Sequence, residues 1–291
     1  MCGIVGYVGS QDSLGVLLGG LKRQEYRGYD SAGVAVLTDS GDLVMAKKAG
    51  KLQMLVDNLT AHPLAAGHTG IGHTRWATHG APIDVNAHPH LADGGRLALI
   101  HNGIVENFFE IKTELLARGH EFLSETDTEV AAVLLADNYA ETGDLREAFA
   151  RTVNRLEGAF TLLAMHANEP DLIVAARHNS PLVIGFGEGE NFLGSDVAAF
   201  VEFTRRAAAV GQNQIVSITP GAVTVTTFDG EPVVPEEFDI AWDASASEKG
   251  GWPSFMSKEI SENPDAVANT IRGRIHDGMV VVPEIDAFGP D

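Results

Sequence analysis

The order of the predicted secondary structure constrains the fold of this chain most strongly. A short apolar run at residues 2–8 predicts a buried strand, and leucines at helical spacing follow it. Helical patterns occupy residues 109–156, and beyond them the apolar period shortens to that of strands. Strands at both ends therefore enclose a helical middle. Runs of strands beside runs of helices favour an α+β sandwich with antiparallel sheets over a repeated βαβ unit.

The individual elements can also be placed along the chain. The predicted helices lie near residues 14–26, 52–59, 109–117, 128–139 and 145–156. The predicted strands lie at residues 2–8, 32–37, 43–47, 71–74, 97–101, 160–165, 172–175, 182–185, 191–193, 207–210, 214–218 and 223–228. A polar loop rich in Gly, Pro and His leads from the fourth strand to about residue 90.

Composition excludes several classes of protein. The formal net charge is -20, which argues against a surface for nucleic acids or anionic membranes because neither attracts carboxylates. The single cysteine permits no intrachain disulfide. No apolar stretch approaches the roughly 20 residues that a membrane helix needs, and residues 1–9 lack the basic segment of a secretion signal. We therefore predict a cytoplasmic protein without a nucleic-acid or membrane partner.

The composition changes near residue 229, which indicates a domain boundary. Residues 231–251 are acidic and poor in apolar side chains, and a last amphipathic stretch covers residues 255–271. We predict one domain at residues 2–240. Residues 241–291 are expected to form a linker and the start of the connection to a further domain of a longer protein.

The cysteine lies at position 2, where a thiol has a specific chemical use. An initiator methionine before a residue as small as cysteine is usually removed, which leaves Cys2 with both a thiol and a free α-amine. The pKa of an α-amine is about 7.7–8.0, so an appreciable fraction is neutral at cellular pH and can accept the thiol proton. A retained Met1 would block this base. The alternative is a buried structural cysteine, which is a common role for a lone cysteine.

Acyl transfer from an amide also needs donors for the oxyanion and groups that hold the charged ends of the substrate. The Asn102 side-chain amide and the Gly103 backbone N–H follow an apolar strand and could converge on one oxygen. Arg75 could bind a carboxylate by a bidentate fork, and Asp127 could bind an ammonium group. The alternatives are an ordinary Asn-Gly turn and a helix N-cap at Asp127.

Several short sequence words match one family of enzymes. They are CGIVGYVG (2–9), EYRGYDSAG (25–33), GHTRWATHG (72–80), NAHPH (86–90), HNGIVEN (101–107), SETDTE (124–129) and SPLVIG (180–185). In this order and spacing, the chain resembles the glutaminase half of the glutamine–fructose-6-phosphate aminotransferases (isomerising), also called glucosamine-6-phosphate synthases. The words TRWATHG and YRGYDSAG favour this family over amidophosphoribosyltransferases and glutamine-dependent asparagine synthetases.

The resemblance implies an N-terminal-nucleophile hydrolase fold, an αββα sandwich of two antiparallel sheets between layers of helices. It implies that Cys2 attacks the side-chain amide of L-glutamine and releases ammonia. Water would then cleave the resulting γ-glutamyl thioester to glutamate.

The resemblance also implies roles for individual residues. Asn102 and Gly103 would form the oxyanion hole, while Arg75 would hold the substrate α-carboxylate and Asp127 its α-ammonium group. Three residues would line the glutamine pocket: Thr78, His79 and His88. Trp76 would gate the passage of ammonia. Arg27 and Gly28 would support the nucleophile.

The resemblance ends before the half of the family that binds fructose 6-phosphate and isomerises the sugar. We therefore expect this chain alone to hydrolyse glutamine but not to form glucosamine 6-phosphate. The full-length family members are expected to be homodimers.

Two rival functions remain open from the residues alone. One is a metal-dependent amidohydrolase, since several of the eleven histidines lie close together in the sequence, among them His73, His79, His88, His90 and His101. No zinc signature such as HExxH or paired CxxC is present, so we predict neither a metal nor a cofactor. The other is a non-catalytic glutamine-sensing module, which would keep Arg75 and Asp127 but would not need the terminal thiol.

Overall fold

A computed structural model describes residues 2–77, 80–241, 252, 255–271, 275–276 and 279–280. Contacts between Cα atoms divide the chain into two compact units, residues 1–244 and 245–291. None of the described helices combines the length and the apolar character that crossing a membrane requires.

The first unit contains two sheets and five longer helices in its described part. Its helices are α1 (Ser13–Arg23), α2 (Leu52–Ala61), α3 (Phe108–Ala117), α4 (Asp127–Thr142) and α5 (Leu145–Val153). Its strands are β1 (Gly3–Val8), β2 (Ser31–Leu37), β3 (Leu43–Ala49), β4 (Thr69–Arg75), β5 (His90–Ala92), β6 (Leu97–Val105), β7 (Gly158–His166), β8 (Ile173–His178), β9 (Val183–Phe186), β10 (Asn191–Gly194), β11 (Arg206–Ala209), β12 (Gln214–Thr219), β13 (Ala222–Thr227), β14 (Pro232–Val233) and β15 (Glu237–Asp239).

The strands form two antiparallel sheets. The first sheet has eight strands in the order β15-β11-β9-β10-β1-β4-β2-β3, and the second has seven in the order β14-β13-β12-β8-β7-β6-β5. Strand β1 lies in the interior of the first sheet and pairs with β10 on one edge and β4 on the other. The start of the chain is therefore held by hydrogen bonds on both sides.

Alternation of side chains along the strands explains the layering. In β1, Ile4 and Val8 belong to the apolar core between the two sheets, whereas Val5 packs with residues of α1 and α2 on the opposite face. In β6, Ala98 faces the inter-sheet core and Leu99 packs with α3, α4 and α5. Because neighbouring side chains of a strand point to opposite faces, each sheet is apolar on both faces and needs a helical layer outside. The result is the predicted αββα sandwich.

The structure corrects the sequence prediction at several strands. Strand β6 was expected to end at residue 101, but it continues to Val105, so Asn102 and Gly103 lie inside a paired strand rather than in a turn. The short strands β5, β14 and β15 were not predicted. Each has two or three residues, which is too few to show an alternating pattern.

The second unit is described only in part. Its helix α6 (Phe255–Ile271) covers the amphipathic stretch noted in the sequence, and strands β16 (Ile275–His276) and β17 (Met279–Val280) form an antiparallel pair.

Candidate active site

Cys2 lies at the entrance to β1, beside the end of β4. Because Gly3 is paired with Thr74 in the register of these strands, Cys2 comes opposite Arg75 and one residue from Trp76. The Trp76 backbone N–H donates to Cys2 Sγ at 3.1 Å, and the Trp76 carbonyl oxygen lies 3.6 Å from the same sulfur. Burial raises the pKa of the Cys2 thiol, and the Trp76 hydrogen bond only partly opposes this shift. The thiol is therefore protonated at neutral pH and needs a base to become a nucleophile.

A short turn after α1 supports the backbone of Cys2. Arg27 Nε donates to the Cys2 carbonyl oxygen at 3.3 Å, and Arg27 Nη1 lies 3.8 Å from Asp196 Oδ2. At Gly28 the turn passes so close to β4 that a Cβ atom would lie 2.8 Å from the Thr74 carbonyl oxygen. Only glycine permits this approach without moving the strand that leads to Arg75.

Asn102 and Gly103 approach the nucleophile from the second sheet. Asn102 Nδ2 donates to the Cys2 carbonyl oxygen at 3.0 Å. Gly103 has a φ of +124°, and a Cβ atom there would lie 1.9 Å from the carbonyl oxygen of Ala159 on β7. A side chain at position 103 is excluded both by this φ and by the neighbouring strand. Donors near the thiol are thus mounted on a strand that is paired along its length with β7.

The acidic candidate Asp127 is the first residue of α4, and its side chain is almost entirely buried. Its Oδ2 atom accepts a hydrogen bond from the Val105 backbone N–H at 2.9 Å and lies 3.7 Å from His101 Nδ1. The N-cap of α4 is Thr126, whose hydroxyl accepts from the Glu129 N–H at 3.3 Å. The N-cap alternative for Asp127 is therefore wrong, and its carboxylate is turned toward β6.

The basic candidate Arg75 is also buried, with 3% of its surface exposed at the end of β4. Its guanidinium donates at 3.5 Å to the carbonyl oxygens of Ala81 and Gly80. Burial lowers the pKa of Arg75, although an arginine remains charged at neutral pH. The planar guanidinium fork of an arginine suits the two oxygens of a carboxylate.

These side chains line one cavity of about 390 Å³, a size that suits a small ligand. The predicted site residues that line it are Cys2, Arg27, Arg75, Trp76, His88, Asn102, Gly103 and Asp127. Gly28 lies outside the lining and acts through the backbone. Thr78 and His79, which were predicted to line the pocket, lie outside the described residues. The predicted residues that can be placed thus converge on the thiol or support it.

His73, His88 and His90 are buried and neutral. The ring centroids of His73 and His88 lie 4.3 Å apart. Burial lowers the pKa of His73 to about 3 and those of His88 and His90 well below the ordinary value. Within the described ranges, no three His, Cys, Asp or Glu side chains are grouped as metal ligands would be. The described geometry therefore gives no support to the metal-dependent alternative.

Trp76 has a different environment from the buried groups around it. Its side chain is 45% exposed and contacts the Tyr29 ring edge-on, with the centroids 5.4 Å apart. The backbone of the next residue is fixed by a hydrogen bond, because the Ala77 N–H donates to Asp30 Oδ2 at 2.8 Å. The indole therefore stands at the rim of the cavity, while its backbone contacts the nucleophile.

Residues 73–202 match the family model described as the glutamine amidotransferase domain. The chain is 68% identical, over its whole length, to the glutamine–fructose-6-phosphate aminotransferase (isomerizing) of Leifsonia xyli subsp. xyli, of which it covers 47%. Residues 73–202 of this chain are thus identified as a glutamine amidotransferase domain. The corresponding aminotransferase of Streptomyces coelicolor is 61% identical over 94% of this chain, which covers 45% of that protein. The chain thus spans about half the length of the curated relatives it matches.

The fold of this chain is also similar to that of solved amidotransferase structures. Its structure is similar to that of glutamine phosphoribosylpyrophosphate amidotransferase from B. subtilis, with a TM-score of 0.66 and 26% identity. The similarity covers 78% of this chain and 49% of that one. The predicted N-terminal-nucleophile hydrolase fold is confirmed.

The sequence pattern predicts no role in this site for His73, Asp30 or Thr128. The hydroxyl of Thr128, which lines the cavity, lies 3.1 Å from His101 Nδ1. A signal for His73 exists in the sequence, because it lies two residues after the apolar Ile71 and therefore shares its face of β4. The contacts of Asp30 depend on how a turn meets a distant strand, which no local pattern indicates.

Proposed function

We propose that this domain hydrolyses L-glutamine to glutamate and ammonia through a γ-glutamyl thioester on Cys2. The observation that carries this proposal is the convergence of a thiol, an amide donor and two opposite charges on one cavity. Arg75 and Asp127 would bind the α-carboxylate and α-ammonium groups, which leaves the side-chain amide to reach Cys2. The match of residues 73–202 to the glutamine amidotransferase domain supports the same substrate.

The first half of the reaction would form the thioester. The α-amine of Cys2, once Met1 is removed, takes the thiol proton, and the sulfur attacks the amide carbon. The negative charge that develops on the amide oxygen is stabilised by the Asn102 amide and the Gly103 N–H. The C–N bond then breaks, and the leaving nitrogen takes the proton from the α-amine and departs as ammonia.

The second half would return the enzyme to its starting state. The α-amine takes a proton from water, and the resulting hydroxide attacks the thioester carbon. The same oxyanion donors stabilise the second tetrahedral intermediate. The C–S bond breaks, the thiolate recovers its proton, and glutamate leaves.

We further propose that this domain supplies ammonia within a longer protein. The matched relatives are glutamine–fructose-6-phosphate aminotransferases and are about twice as long as this chain. On this proposal, residues 2–240 are the amidotransferase domain, and residues 241–291 begin the connection to a domain that aminates fructose 6-phosphate to glucosamine 6-phosphate. Trp76 would gate the passage of ammonia, and the whole protein would be a homodimer.

Covalent labelling tests the proposed function directly. A glutamine analogue with an electrophilic diazoketone in place of the amide should add once per chain, at Cys2, and excess glutamate should slow the addition. Intact-mass and peptide mass spectrometry give the stoichiometry and the site. A label on another residue would contradict the mechanism, and glutamine binding without ammonia release would favour the glutamine-sensing alternative.

Replacing Arg75 by lysine is expected to weaken glutamine binding. A point charge cannot reproduce two parallel N–H···O bonds, and a hydrogen bond to a charged group contributes about 1.5–3 kcal/mol. We expect KM to rise roughly 10- to 150-fold and kcat to change little. Arg206→Lys is the matched control, because Arg206 is exposed and pairs with Glu237 at 2.7 Å on an edge of the sheet. An unchanged KM in Arg75→Lys would show that another residue holds the carboxylate.

A further inference from the structure

His73 lies in β4, a strand paired with β1 on one edge and β2 on the other. It is two residues beyond Ile71, whose side chain belongs to the core between the sheets, so His73 points into the same space. Its exposed fraction is 0%. The imidazole is therefore a polar group enclosed between the two sheets, and His73 is paired with Ile4, two residues from the nucleophile.

The imidazole meets Asn102 across the sandwich. Asn102 lies two residues beyond Ile100 on β6, so its side chain faces the first sheet. His73 Nε2 lies 2.9 Å from Asn102 Oδ1 and 3.0 Å from the backbone carbonyl oxygen of His101. This contact joins the two sheets directly behind the oxyanion donor.

The protonation of His73 follows from its partners. A backbone carbonyl oxygen can only accept, so the short contact with the His101 oxygen requires a hydrogen on His73 Nε2. The same N–H can be shared with Asn102 only if the amide oxygen faces it. Within the part of the chain that the structure describes, the buried Nδ1 of His73 has no hydrogen-bond partner and therefore carries the lone pair of a neutral ring. The low pKa of His73 that burial produces agrees with this neutral state.

An Asn side chain has two faces of opposite character, and only one of them suits this reaction. With Oδ1 toward His73, Asn102 turns Nδ2 toward Cys2, where it now donates to the Cys2 carbonyl oxygen at 3.0 Å. A rotation of the amide by half a turn would bring its NH2 group against the His73 N–H and would present a carbonyl oxygen to the oxyanion. Two N–H donors would then face each other without an acceptor, and the amide oxygen would repel the negative charge that forms on the substrate.

We propose that His73 is a positioning residue that fixes the orientation of the Asn102 amide and so keeps its NH2 group directed at the oxyanion. This inference rests on the proposed glutaminase function. His73 touches neither the substrate nor the sulfur, and it acts through Asn102. Its effect is therefore confined to the stabilisation of the oxyanion and does not extend to glutamine binding.

His73→Met and His73→Gln form a matched pair for testing this role, because the side chains have equal length and only glutamine keeps a donor near the position of Nε2. Removal of an oxyanion donor costs about 10²–10³ in kcat, so we expect kcat to fall roughly 10- to 100-fold in His73→Met. KM should stay within about threefold of the wild-type value, because the contacts that hold glutamine equally in the ground state and the transition state are unchanged. His73→Gln should recover most of the lost kcat. His73→Phe, which retains a flat ring, replaces His73→Met if the latter unfolds.

Two further readouts separate positioning from a general structural effect. The aldehyde analogue of glutamine adds to the thiol and forms the tetrahedral oxyanion, so its affinity should fall in His73→Met by about the same factor as kcat, whereas the affinity for glutamate should not. In the Asn102→Ala background, His73→Met should cause no additional loss. Equal kcat in His73→Met and wild type would overturn the positioning role of His73 but not the proposed function. A full additional loss of kcat from His73→Met in the Asn102→Ala background would do the same. Absence of ammonia release by the wild-type domain would overturn the proposed function as well.

Discussion

Replacing Cys2 by alanine is expected to abolish the release of ammonia from glutamine while leaving the fold intact. Cys2 is the only cysteine of the chain, so no second thiol can substitute for it. Loss of a covalent nucleophile costs roughly 10⁴- to 10⁶-fold in kcat. Cys2 precedes β1 and belongs to none of the apolar clusters, so its removal leaves no large cavity.

The measurements for Cys2→Ala are the rate of ammonia release, the thermal unfolding midpoint and the affinity for glutamine by calorimetry. The unfolding midpoint should stay within about 2 °C, because a change away from a packed core usually alters stability by less than about 0.5 kcal/mol. Glutamine should still bind, since Arg75 and Asp127 are unchanged. Substantial residual turnover in Cys2→Ala would refute the covalent mechanism.

Blocking the α-amine of Cys2 is expected to have the second-largest effect. The comparison uses one preparation that carries a removable peptide before Cys2, assayed before and after the peptide is cleaved off. Burial raises the pKa of the thiol, so a capped chain has almost no thiolate at neutral pH and no base to generate it. General base catalysis contributes about 10²–10⁴-fold, and we expect the capped chain to lose at least this much.

The same mechanism fixes the direction of the pH dependence. The base must be unprotonated to act, so activity of the cleaved chain should rise with pH and level off above about 8, where an α-amine is neutral. The residual activity of the capped chain should instead keep rising with pH, because only ionisation of the thiol itself then supplies the nucleophile. A capped chain that released ammonia as fast as the cleaved one would contradict the role of the amine.

The layers of the fold could be predicted from the sequence, whereas the placement of the oxyanion donors could not. The run of apolar residues 97–101 predicts a strand that is buried on both faces. In the structure its side chains alternate between two apolar clusters. At Asn102 and Gly103 the apolar pattern stops, which reads as a turn. The backbone nevertheless continues as a strand, because pairing with β7 persists through residues 102–105. Local rules fail here at polar residues that line the candidate site, which is where such failures are expected.

The environments of the charged residues also depended on contacts that only the folded chain makes. Thr126 and Asp127 are both acceptable N-caps by residue type. The Val105 N–H donates a hydrogen bond to the Asp127 carboxylate, and Thr126 is the N-cap of α4. Similarly, the need for glycine at position 28 arises from the backbone of β4, more than forty residues away in the sequence. The residue types were informative, but their partners come from strands that are distant in the chain.

The pairing of β1 on both edges has a practical consequence for anyone who modifies this protein. A strand with neighbours on each side cannot slide by a residue without turning its apolar side chains to the wrong faces. The position of Cys2 relative to the donors of the second sheet is thus set by the pairing of β1 and cannot be adjusted by a flexible leader. Affinity tags, fusion partners and circularly permuted connections should therefore be attached away from this terminus, or be removed without leaving a single extra residue.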